Sequence, residues 1–145
     1  MAALYSFAMG TNDELHAWLE SYIGDHGGVA GTIHVREGED LLLKAAVNIP
    51  PPVIEKVKIV PNGKGMAGLA LERDDIVHTC NLKDDDSGDV RPGAKAVDAN
   101  AAAAIPVHAE GGDVRGVVGI AFMGERDIDS DELARLTSAA EQAPF

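Results

Sequence analysis

The chain has 145 residues, enough for one ordinary hydrophobic core, so a single domain over 1–145 is expected. Lys and Arg number 12 against 24 Asp and Glu, a net charge of −12 with no basic cluster in view, which argues against nucleic acid and anionic membranes as partners. The single cysteine, Cys80, excludes an internal disulfide framework and a four-cysteine zinc site.

No apolar run approaches the ~20 residues that cross a bilayer. The opening MAALYSFAMG lacks the basic flank and longer apolar stretch of a secretory signal, so a cytoplasmic location is expected.

Thr11-Asn-Asp-Glu14 reads as a capping box. Behind it Leu15, Trp18, Leu19, Tyr22 and Ile23 share one helical face, which predicts a helix from about Asn12 to Asp25, ended by Gly24 and the pair Gly27-Gly28. Val29–Arg36 then alternates, with Gly31, Ile33 and Val35 on one side and Thr32, His34 and Arg36 on the other. Glu37-Gly-Glu39 turns the chain into a second strand over Asp40–Asn48, a hairpin signal. Lys44, in the middle of that strand, suits a sheet edge. Pro50-Pro-Pro52 stops the strand, Val53–Lys56 reads as one helical turn, and Val57–Val60 as a short third strand.

Val60–Ala70, VPNGKGMAGLA, carries the strongest local signal. A strand end meets Pro61, glycines flank Lys64, and an apolar helix opens near Gly65 and runs to Arg73 with Met66, Leu69 and Ala70 on one face. Ile76–Thr79 is a strand fragment. Asn81–Asn100 is polar and rich in Asp, Gly and Pro; a connection of that length reads as a functional lid or a mobile segment. Ala101–Ala109 and Val114–Met123 are strands joined by Glu110-Gly-Gly-Asp113. The second is apolar on both sides, Val117, Ala121 and Met123 against Val118, Ile120 and Phe122, which places it at the sheet centre. Pro106 inside the other strand requires a short or interrupted neighbour, because proline cannot donate to a ladder. A final helix begins at Ser130 with Leu133, Leu136 and Ala140 inward.

Three motifs invite chemistry. Gly63-Lys64-Gly65 fails as a nucleotide phosphate loop, since Met66 stands where Ser or Thr would be needed, and a tight turn that opens a helix accounts for it. Asp84–Asp89 fails as a calcium loop, because the required Gly and Glu positions hold Asp89 and Lys95. His78, Thr79 and Cys80 form the most reactive-looking group. On a strand His78 and Cys80 point to one side, and a metal would need a further donor such as His108 or Asp98. The plainer reading is a core or pocket-wall histidine beside an inert buried thiol.

The GKGMAGLA stretch, AAAAIPV (Ala101–Val107) and RGVVGIAF (Arg115–Phe122) together resemble the GAF family of small-molecule sensor domains, over about Leu15 to Ala140. The resemblance implies an α+β, GAF-like (profilin-like) three-layer α/β/α fold with a central five- to six-stranded antiparallel sheet, order 2-1-5-4-3. The first and last helices would cover one face. The short helices and the long loop would cover the other, over a ligand pocket. The pocket residues implied are Met66, Leu69, His78, Thr79, Cys80, Asn81, Asp98, Asn100, Ile105 and Val107.

Free methionine-R-sulfoxide reductases resemble the chain around GKGMAGLA, but their motif cysteine falls at Ala67, and Cys80 alone cannot run a thiol relay that ends in an intramolecular disulfide. The Asn-Lys pair of cyclic-nucleotide GAF domains is replaced by Met123-Gly124, and Ile128 stands for their Phe. Bilin attachment lacks its usual cysteine motif, and none of the five histidines is selected as a haem ligand. The cofactor is therefore unknown.

The expected function is a non-enzymatic sensory domain. It would bind a small polar or anionic metabolite, dimerise through its first and last helices and signal to a partner protein. A dimerisation or docking module without ligand is the alternative. A thiol enzyme using Cys80 with His78 or His108 as base is the third reading.

Overall fold

The computed structural model describes residues 12–79, 101–124 and 127–145. In chain order they form α1 (Asn12–Asp25), β1 (Ala30–Glu37), β2 (Asp40–Val47), α2 (Pro51–Val57), β3 (Ile59–Pro61), α3 (Gly65–Arg73), β4 (Val77–Thr79), β5 (Ala101–His108), β6 (Val114–Phe122) and α4 (Ser130–Ala140). The capping box at Thr11 and the Asn81–Asn100 connection lie outside the described residues.

The strands make one sheet in the order β3-β2-β1-β6-β5-β4, with every neighbouring pair antiparallel. The antiparallel sheet and its central 2-1-5-4 order are as expected; the place of the third strand beside β5 is taken by Val77–Thr79, and the short strand Ile59–Pro61, read as the third, pairs with β2 at the other edge. Strand β6 sits between β1 and β5, as its two-sided apolar pattern requires. Pairing of β4 with β5 runs only from Ala102 to Ala104, so Pro106 lies past the end of that neighbour and removes no donor from the ladder there.

Strand β3 pairs with β2 only over Asp40–Leu42, so Lys44 lies past the end of that short outer strand. Ile33 pairs with Ala45 and His34 with Leu43, which makes Lys44 the extra residue of a β-bulge. Two expectations need correction. The one predicted helical turn at Val53–Lys56 is a seven-residue helix; Pro51 and Pro52 sit in its first turn, where a missing N–H costs nothing, and it delays the next strand to Ile59. Met123 is 57% exposed, because β6 ends at Phe122 and the chain turns away from the sheet.

Period-two alternation divides the sheet into two faces. On one, Leu15, Leu19 and Ile23 of α1 and Leu136 and Ala140 of α4 pack on Ile33, Ile105, Val118 and Phe122. The Tyr22 hydroxyl donates to Leu136 O at 2.9 Å, tying α1 to α4. Helix α4 starts on Asp129, whose carboxylate accepts from Glu132 N at 2.8 Å, with Asp131 and Glu132 in its first turn. On the other face, α2 and α3 cover Ala30, Leu41, Ala104 and Val117 through Val53, Ala70 and Leu71.

Candidate functional site

The α2/α3 face is where a ligand could be held, for reasons that start in the strands. Its positions at the sheet centre are small: Ala102 and Ala104 on β5, Gly119 and Ala121 on β6. The same strands place Ile105, Val118, Ile120 and Phe122 on the α1/α4 face. A shallow floor on one side and a filled core on the other follow from that alternation.

Helix α3 roofs part of this floor, and the loop before it sets its position. Gly63 and Gly65 take φ of +83° and +66°, values that side-chain-bearing residues resist. A Cβ on Gly68 would come within 2.5 Å of Pro61 O, so only glycine lets the helix sit this close to the end of β3. Gly63 N donates to Gly68 O and Gly68 N to Lys64 O, closing the turn with backbone bonds. The Gly-Lys-Gly turn therefore positions a helix, as the turn chemistry implies. Met66 is half-buried and packs against both apolar clusters of this face.

Two polar side chains rise from β1 onto the same floor, Thr32 and His34 at i and i+2. Thr32 pairs with Gly119, and a Cβ there would meet the Thr32 hydroxyl at 2.8 Å. His34 is only 3% exposed. Its Nε2 lies 2.8 Å from Val57 O at the end of α2. A carbonyl only accepts, so Nε2 carries the proton and Nδ1 keeps a bare lone pair. That Nδ1 is buried with no hydrogen-bond partner among the described residues. Burial drives the His34 pKa below the ordinary histidine value, against the opposing pull of the Val57 carbonyl. The ring is thus a neutral acceptor that lacks a donor.

Of the predicted site residues, Met66, Leu69 and Thr79 reach this face. Thr79 pairs with Ala102, and directly opposed residues share a side. Ile105 and Val107 do not. As odd positions of β5 they are buried under α1 and α4, at 0% and 1% exposure, and cannot wall a pocket beneath α3. His78 pairs with Ala103, on the side away from Met66, and is exposed; it is neither core nor pocket wall. Cys80, Asn81, Asp98 and Asn100 lie outside the described residues. Thr32 and His34 were missed, although the signal was there: a polar Thr-x-His row opposite an apolar row on a strand that is otherwise central.

His108, a suggested metal donor or base, is committed elsewhere. Its Nε2 lies 2.5 Å from Asp74 Oδ1 and its Nδ1 3.0 Å from Glu141 Oε2. Its backbone N donates to Glu141 Oε1 at 2.8 Å. The hydrogen bond to Asp74, then that to Glu141, raises its pKa above the ordinary histidine value. Both nitrogens face carboxylates, so His108 serves as a proton-holding link between the end of α3 and the end of α4, with no lone pair for a metal. Among the described residues no group of three His, Cys, Asp or Glu could hold a metal ion, and no helix is long and apolar enough to cross a membrane.

The GAF domain family matches residues 12–145. Among solved structures, the GAF domain of an Acinetobacter phosphoenolpyruvate-protein phosphotransferase aligns with a TM-score of 0.72 at 20% identity, over 92% of this chain and 79% of that one. The type II free methionine-R-sulfoxide reductase of Thermoplasma acidophilum aligns at 0.69 and 20% identity, over 89% of this chain and 86% of the other. A Staphylococcus aureus NreA protein mutated in its nitrate binding site aligns at 0.63 and 18% identity, over 83% of this chain and 96% of the other. At these identities the likeness speaks for the fold. No curated protein matches the sequence. A match over nearly the whole length, joined to the antiparallel sheet, its two covered faces and the glycine-steered α3, makes this chain a member of the GAF domain family.

Proposed function

We propose that this GAF domain is a non-enzymatic sensory module that binds a small polar metabolite on the α2/α3 face. The observation that carries the reading is the His34 ring on the α2/α3 face: buried, neutral, and with no hydrogen-bond partner for its Nδ1 among the described residues. Leaving such an acceptor unpaired costs on the order of 1–3 kcal/mol, a cost that a ligand O–H or N–H would remove. A neutral acceptor repels an anionic oxygen, so the favoured ligand is a hydrogen-bond donor at that point. Half-buried Met66 and Leu69 supply apolar contact for the rest of it.

Structural neighbours with a nitrate site or acting on free methionine sulfoxide support the idea that this fold holds small polar molecules. The readout would run through α1 and α4, which the Tyr22–Leu136 bond joins and which we propose as the surface of a homodimer that docks a partner protein.

A thermal-shift screen of amino acids, small alcohols and amides tests this. A ligand at about one hundred times its Kd should stabilise the fold by about 2.7 kcal/mol. His34→Leu should keep the fold and lose the shift. The reading fails if no compound raises the melting temperature and native mass spectrometry of protein taken from cells shows no bound molecule. It also fails if His34→Leu responds like the parent.

A further inference from the structure

A second site lies where the β1–β2 and β5–β6 hairpins end side by side. Val35 and Arg36 face Asp113, Val114, Arg115 and Phe145 across an open cleft of 470 Å³. It shares no lining residue with the Thr32–His34 floor. Its volume is in the range of small-molecule sites.

Each wall is held in place by the fold. Arg36 donates from Nε to Gly38 O at 2.9 Å and from Nη1 to Val114 O at 3.3 Å. Gly38 makes this reach possible with φ of +64°. Arg115 is the extra residue of a bulge, since Val107 pairs with Gly116 and His108 with Val114. A bulge re-aims its side chain, and here the guanidinium stands 5.3 Å from the Phe145 ring centroid. The ring in turn lies on Gly116, where a Cβ would come within 2.5 Å of it.

The electrostatics are unusual for this chain. It carries a net charge of −12, yet among the described residues neither arginine has a carboxylate within ion-pair distance. Among the described residues Arg36 bonds only neutral carbonyls, through Nε and Nη1. Asp113 lines the same cleft without reaching ion-pair distance of either guanidinium among the described residues. Guanidiniums already fixed in one geometry lose little entropy when they take an anion.

We infer that this cleft binds a small organic monocarboxylate, its carboxylate between Arg36 and Arg115 and its hydrocarbon part against Val35, Val114 and Phe145. Asp113 in the same lining repels a phosphate dianion more than a monoanion. The inference stands whether or not the α2/α3 face takes a metabolite.

The test is a titration of the full chain with benzoate, followed by calorimetry and by backbone amide shifts. Saturable binding is expected, with the largest shifts at Gly38, Val114 and Arg115, and with affinity falling as salt rises. Benzyl alcohol, the same ring without charge, should not saturate. Asp113→Asn should bind more tightly, and Arg36→Gln/Arg115→Gln should weaken binding at least about tenfold. The benzyl alcohol and Asp113→Asn comparisons do not depend on the double variant folding. Absence of saturation at about 10 mM benzoate, equal binding of benzyl alcohol, or shifts confined to the Thr32–His34 face would overturn the assignment.

Discussion

Along β5 the odd positions Ala101, Ala103, Ile105 and Val107 drop into a core with fully buried Leu19 and Leu136, while the even positions Ala102 and Ala104 meet the smaller clusters under α2 and α3. The two faces come from the same strands. On the α1/α4 face the large side chains touch each other across the sheet, and a polar group such as the Tyr22 hydroxyl has its partner. On the α2/α3 face the floor is small, Met66 and Leu69 stay half-buried, and His34 Nδ1 has no hydrogen-bond partner among the described residues. Among the described residues, one face closes its packing and pairs its polar groups, and the other does so less completely.

The largest test of that contrast removes side-chain volume from each face. Leu19→Ala should cost about 2–5 kcal/mol in urea unfolding, because a fully buried leucine leaves a cavity in rigid surroundings. Met66→Ala should cost less than about 2 kcal/mol, since its side chain is only half-buried. Equal losses would mean that the two faces are packed alike.

Next comes the turn that holds α3 over the floor. Gly68→Ala should destabilise by about 1–3 kcal/mol, since the new methyl meets Pro61 O, a backbone atom that cannot swing away. Gly24→Ala, with nothing within 4 Å of the new methyl and inside a helix, should be neutral or slightly stabilising. A Gly68→Ala protein as stable as its parent would show that α3 tolerates displacement.

The smallest effects belong to two histidines of opposite sign. His34 is neutral in the fold with a lowered pKa, so the unfolded chain binds more protons below about pH 6.5. Stability should therefore fall as the medium is acidified through that range, and His34→Leu should flatten the fall. His108 has a raised pKa, so its links to Asp74 and Glu141 contribute fully below about pH 6.5 and fade as pH rises through the raised value. His108→Gln should lose less than about 1 kcal/mol near pH 6, because the site is partly exposed and screened, and progressively less as the pH rises through the raised value. Urea titrations across that range read both; a His108→Gln loss that is the same at both ends would remove the protonated link.

Much of the architecture was legible. Helix α3 runs from Gly65 to Arg73 as its glycine turn and apolar face indicate, and Pro106 correctly foretold a neighbour that stops short. The site was read less well. Met66, Leu69 and Thr79 share the α2/α3 face, whereas Ile105 and Val107, expected beside them as apolar walls, lie on the other face. Parity along the strand puts them on the other side. Thr32 and His34 stood in plain view as the polar row of β1. What hid them is that a strand shows two rows without showing which one meets a helix-packed core.

By itself the sequence determined periodicities, turn positions and charge: which residues alternate, where glycine must bend the backbone, and that the surface is acidic. The tertiary structure alone decided which face each row enters, that Arg36 and Arg115 line one cleft at the end of the sheet, and that His34 is sealed beside the Val57 carbonyl. The reason is physical. Alternation and turn chemistry are local properties of neighbouring residues, whereas burial and the pairing of polar groups depend on what distant segments bring to the same point.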